Sequence, residues 1–79
     1  MATEAIADLS KRVRARRSLP PPATRQALRK AAGASLRDVA RACNVTKQAV
    51  AQWEAGICNP RGENLLAYSE VLRVFRESS

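Results

Sequence analysis

The spacing of apolar positions divides the 79-residue chain into helical segments and offers no strand. Between residues 35 and 56, Leu36, Val39, Ala40 and Cys43 recur at the three-and-four interval of one helix face. The period breaks at Cys43-Asn44-Val45, and Asn is the commonest non-glycine residue to accept a left-handed backbone. It resumes with Ala49, Val50 and Trp53. Local signals mark each end. Ser35 is a natural N-cap with Asp38 placed to complete a capping box, Thr46 offers a second cap, and Gly56 closes the second helix. Two short helices around a tight turn in this many residues match the size of a DNA-reading helix-turn-helix.

The flanking segments follow the same period. Ile6, Leu9 and Val13 form a narrow stripe on a helix expected over residues 3 to 17, capped by Thr3, with Ala2 and Ala5 beside it. Three large side chains do not make a core, but they can dock on the rest of the domain or on a second subunit. Leu19-Pro20-Pro21-Pro22 is a stiff joint that no helix crosses, although Pro22 is tolerated in the first turn of the next one. Ala27, Leu28, Ala31 and Ala32 supply the apolar side expected for a helix over 23 to 33, closed by Gly33. Asn59-Pro60-Arg61-Gly62 reads as a type I turn. A last helix over 63 to 77 carries Leu65, Tyr68, Ser69, Leu72 and Phe75, with Leu66, Val71 and Val74 widening its stripe. The expected organisation is therefore an N-terminal basic helix or arm at 1–19, a proline joint at 20–22 and one helical domain at 23–79.

Composition narrows the fold to all-α. Apolar content reaches 46%, yet only one Trp, one Tyr and one Phe are present, so the core must be built from Ala, Leu and Val. Charge bears on partners. The formal charge is +7 and is uneven. Residues 1–22 hold five basic and two acidic groups, residues 23–61 seven and two, and residues 62–79 two and three. A basic excess over the first three quarters of the chain favours a polyanion. Five of the eight residues from Ser10 to Arg17 are basic, a solvated helix end or an arm that neutralises phosphates through Arg14, Arg16 and Arg17. There is no His, and Cys43 and Cys58 alone cannot form a structural zinc site or a disulfide framework. Cys43 reads as a reduced core thiol. No metal, cofactor or small-molecule ligand is expected. With no glycine-rich phosphate loop and no paired carboxylates, neither is catalysis. No apolar run is long enough to span a membrane, and a cytoplasmic location is expected.

The ordered set ALRKAAG, SLRDVARACNVTKQAV, WEAG and NPRGENLLAYSEVL resembles the Cro and lambda-repressor-like helix-turn-helix family, also called the XRE family, from about Ala23 to Leu72. The resemblance implies a compact bundle of about four core helices, here with the N-terminal basic helix added. It implies base reading by Thr46, Lys47, Gln48, Ala51 and Gln52 on the outward face of the second helix. The chemistry agrees: Gln pairs with adenine, Lys donates to guanine, and Ala meets a thymine methyl. Arg37 and Arg61 fall at the family's phosphate contacts, and Arg25 is assigned with them. Arg29 and Glu54 fall where members carry an ion pair between the first and third core helices. Leu36 departs from the family's frequent Gln, which leaves contacts at that point to Arg37 or backbone amides. The implied function is sequence-specific, double-stranded DNA binding by a transcriptional regulator, homodimeric on a palindromic operator. The alternative within the family is an antitoxin that binds a partner toxin and its own promoter.

Overall fold

In a computed structural model, residues 2–78 are described and form five helices joined by short connections. They are α1 (Ala2–Ser18), α2 (Pro22–Ala31), α3 (Leu36–Cys43), α4 (Lys47–Ala55) and α5 (Gly62–Ser78). No strand occurs among the described residues. The helix ends follow the local chemistry closely. Ser35 Oγ accepts from the Asp38 amide at 3.0 Å, while Asp38 accepts from the Ser35 amide at 2.9 Å, closing a reciprocal capping box at the start of α3. Hydrogen bonding from the Ser35 amide, and after it from the Ser35 hydroxyl, holds the Asp38 carboxyl below its ordinary pKa. Asn44 takes the left-handed turn at φ 56°. Thr46 Oγ1 then accepts from the Ala49 amide at 3.1 Å and starts α4.

The core lies where α3, α4 and α5 meet. Val39, Ala40 and Cys43 of α3, Val50 and Trp53 of α4, and Tyr68 and Leu72 of α5 are all buried together. Leu65 is buried as well, and Leu19, Leu28, Leu36 and Phe75 pack around the cluster. Trp53 and Tyr68 stack tilted, with ring centroids 4.8 Å apart, so two of the three aromatic residues form the centre. Burial pushes the Cys43 thiol pKa up, in keeping with an inert core position.

Four expectations change. Thr3 lies inside α1, which begins at Ala2, so it does not cap the helix. The α1 stripe does not dock on the domain: Ile6, Leu9 and Val13 remain 65%, 60% and 43% exposed. Instead, α1 meets α5 through Lys11, Arg14, Ala15 and Ser18, which share a groove with Leu66, Ala67, Ser69, Glu70 and Arg73. On α2, Ala27, Ala31 and the following Ala32 face solvent, while Arg25 and Arg29 turn inward with Leu28. The type I turn at residues 59–62 does not form. That segment runs irregularly, the Asn59 side chain is engaged by Arg25, and Gly62 enters α5 at φ 55°.

Candidate nucleic-acid interface

Helix α4 has two unlike faces. Val50 and Trp53 are wholly buried, and they fix the rotation of the helix on the core. That rotation leaves Lys47 and Gln48 exposed in its first turn, beside the exposed cap Thr46, with Ala51 and Gln52 half-buried one turn on. Gln52 Oε1 lies 3.8 Å from the Cys58 thiol, which donates to it. The first turns of α3 and α4 converge, so that Arg37 and Lys47 line one open cleft with Ser35, Leu36 and Arg29. A second cleft beyond the end of α4 is lined by Arg16 of α1 and Arg61, with Ile57, Cys58 and Asn59 between them. Arg14 is not part of either. It belongs to the opposite side of α1, in the groove with Glu70 and Arg73. Arg17 is exposed. The basic end of α1 is therefore divided between two surfaces rather than forming one patch.

Arg25 is a correction. Assigned to phosphate, it is only 5% exposed, and its guanidinium is engaged inside the protein. Nε donates to the Pro20 carbonyl at 2.8 Å, and Nη1 donates to the Trp53 carbonyl at 3.0 Å and to Asn59 Oδ1 at 2.9 Å. The physical reasons are two. The Pro20 carbonyl sits in a proline run that supplies few amide donors, so a side chain fulfils that role. The Trp53 carbonyl belongs to the last turn of α4, where the helix dipole is negative and a cation is favoured. Arg25 thus clamps the proline joint, the end of α4 and the following loop at one point. Gly56, the left-handed C-cap at φ 75°, completes the clamp: a Cβ there would lie 2.9 Å from Pro22 Cγ.

One turn further along α2, Arg29 meets Glu54 through two parallel bonds, Nε to Oε2 at 2.5 Å and Nη2 to Oε1 at 3.0 Å. Its Nη1 also donates to the Ala34 carbonyl at 3.0 Å. Their side chains are only 11% and 6% exposed. The bond to Glu54 raises the Arg29 pKa above its ordinary value, outweighing the opposite effect of burial. Both arginines of α2 therefore hold α4 from behind: Arg25 is enclosed, and Arg29, though mostly buried, borders the cleft it shares with Arg37 and Lys47. The proline run was the one local signal for Arg25, since the Pro20 carbonyl has few amide donors nearby; its other acceptors, Trp53 and Asn59, lie far off in sequence.

What this arrangement can do is present a short, rigidly held helix with free polar groups at its N-terminal end, flanked by cationic clefts. Such an element enters a major groove while arginines meet the backbone on either side. Among the described residues there is no cluster of His, Cys, Asp or Glu suited to a metal, and no helix long and apolar enough to cross a membrane. The class defined by this fold and surface is that of helix-turn-helix DNA-binding proteins. The family model described as helix-turn-helix matches residues 26–74, and the chain belongs to that family, of the Cro and lambda-repressor-like (XRE) type. No curated protein and no solved structure matches the chain.

Proposed function

We propose that the protein is a sequence-specific transcriptional regulator that reads double-stranded DNA through the major groove with residues 46–55. The observation that carries this reading is the exposure of Lys47 and Gln48 on a helix whose opposite face, Val50 and Trp53, is locked in the core. Thr46, Ala51 and Gln52 complete the reading edge. Arg37 on one side, and Arg61 with Arg16 and Arg17 on the other, contact phosphates and set the register. A single copy reads few base pairs, so two copies bind a palindrome with half-sites roughly 10 bp apart.

Selection from random duplex DNA, followed by gel shifts on the selected site, tests the reading. Lys47→Ala and Gln48→Ala are each expected to cost about 1–3 kcal/mol and to relax preference at one position. Arg37→Ala should weaken all sequences alike and lower the salt dependence by about one counterion. Selection of no preferred sequence, or reading-edge variants with unchanged affinity and preference, sinks the proposal.

A further inference from the structure

Every described side chain from Thr3 to Arg14 is exposed, and only Ala15, near the end of α1, is buried. The first two turns of this helix stand clear of the domain. The radius of gyration, 12.7 Å, exceeds the ~11.6 Å expected of a compact chain of this length, and the longest dimension is 40 Å against 25 and 20 Å. The helix is also turned in an unexpected sense. Small and polar side chains, Ala15 and Ser18, meet α5, with Ser18 Oγ 3.4 Å from Ser69 Oγ, while Ile6, Leu9 and Val13 point away. These three occupy a, d and a positions of a heptad, the seam along which one helix accepts another.

We infer that this stripe is a self-association surface, and that its occupant is the same stripe of a second copy lying antiparallel to it. Charge selects the orientation. The first half of α1 carries Glu4 and Asp8 and no basic residue, whereas Lys11, Arg12, Arg14, Arg16 and Arg17 crowd the second half. A parallel pair would stack the two arginine-rich halves. An antiparallel pair sets each acidic half beside a basic half and opposes the two helix dipoles. With a and d positions facing across the antiparallel seam, Ile6 of one copy lies against Leu9 of the other, and Glu4 falls level with Lys11. The side chain of Arg12 stays available at the flank of the seam, bonded to Asp8 within its own helix at 2.9 Å.

The area sets the strength. Three large apolar side chains from each copy fall short of the ~1,600 Å² buried by a standard stable interface. The contact is accordingly weak between free copies and becomes decisive when DNA holds two of them side by side at high effective concentration. This role on DNA rests on the function proposed above, whereas the self-contact itself does not.

Sedimentation equilibrium over rising concentration tests the contact directly. The wild-type apparent mass should climb toward that of a dimer, and Leu9→Glu, an exposed substitution that leaves the circular dichroism unchanged, should remain monomeric. In a Cys58→Ser background, copies carrying Ile6→Cys should crosslink with copies carrying Leu9→Cys in preference to either with itself. Preferred self-crosslinking would overturn the antiparallel order. On a duplex with two half-sites, Leu9→Glu should lose roughly 100-fold in affinity while matching wild type on a single half-site. A wild type that stays monomeric and binds two half-sites independently overturns the proposal, as does a dimer that survives Leu9→Glu. Stripe-dependent binding to phosphatidylserine–phosphatidylcholine vesicles without self-association would assign the surface to a membrane and also overturn it. Should no DNA sequence be selected, the proposed function fails, and sedimentation and crosslinking still decide this surface.

Discussion

The two ends of the molecule invert the usual rule of burial. Behind α4, the chain buries charge: the side chains of Arg25, Arg29 and Glu54 are largely enclosed. Along α1 it exposes hydrophobes, with Ile6, Leu9 and Val13 turned from the body. The difference teaches what each end requires. A reading helix must keep one rotation and one end-point, and directional bonds from two guanidiniums define both more sharply than apolar contact does. A surface for a second copy needs no such definition in the free chain. Its apolar groups stay exposed until the partner arrives.

Breaking the buried end should give the largest effects. Glu54→Ala takes both carboxylate oxygens from a mostly buried Arg29, whose guanidinium keeps the Ala34 carbonyl and the edge of the open cleft, and about 2–4 kcal/mol of stability should be lost in urea unfolding. Arg25→Met keeps much of the volume but takes the donor from the Pro20 carbonyl and Asn59 Oδ1 and leaves the Trp53 carbonyl with the Gly56 amide alone, at a cost of about 2–3 kcal/mol. Both should weaken DNA binding through the position of α4, although neither side chain is at the surface. A double change, Arg29→Met with Glu54→Leu, sharpens the point. If stability returns while sequence preference is lost, the ion pair serves placement rather than stability. If both losses are within about 0.5 kcal/mol of zero, the claim that charge braces α4 fails.

Backbone substitutions probe the same end at smaller scale. Gly56 and Gly33 both have left-handed φ, at 75° and 74°, so each pays a similar conformational cost of about 1 kcal/mol on replacement by Ala. Only at Gly56 does the added Cβ also strike Pro22, while at Gly33 it meets open space. Gly56→Ala should therefore be the worse of the two by about 1 kcal/mol or more in paired thermal melts. Equal effects would mean that Pro22 yields and that the proline joint does not clasp α4.

The same contrast separates what could be read in the sequence from what could not. Ser35, Asp38, Asn44, Thr46 and Gly56 act on backbone groups within four residues of themselves, and each was legible where it stood. The period of α3 and α4 was equally legible, because Val39, Val50 and Trp53 announce one face. The inner face of α2 was not. Its alanines suggested one side, but Arg25 and Arg29 look inward because their acceptors, Trp53, Asn59 and Glu54, lie 25 to 34 residues away. Similarly, the α1 stripe was visible as a stripe, whereas which way it turned depended on how Ala15 and Ser18 seat on α5. Patterns fix faces; they do not say which polar residue a distant carbonyl will call inward.

Tyr68 is the exception within the buried end, and it gives the smallest predicted effect with the opposite sign. Its hydroxyl is buried without a hydrogen-bond partner, although Arg25, Arg29 and Glu54 stand near enough to influence its charge. Burial, reinforced by Glu54, pushes its pKa up to about 12. Tyr68→Phe removes a polar atom that makes no bond, and a gain of about 1 kcal/mol at neutral pH is expected. The pH dependence carries the sign. The folded-state pKa lies above that of the unfolded chain, near 10, so the neutral phenol affects nothing below that pH. Between pH 10 and about 12 the unfolded chain ionises first, and wild-type stability falls by about 1.4 kcal/mol per pH unit relative to the Phe variant. Ionising lysines act on both proteins alike, so the difference between their unfolding curves isolates Tyr68. A Phe variant less stable than wild type at neutral pH would give the hydroxyl a bonding role. The buried end would then be polar throughout, with Tyr68 part of the brace on α4.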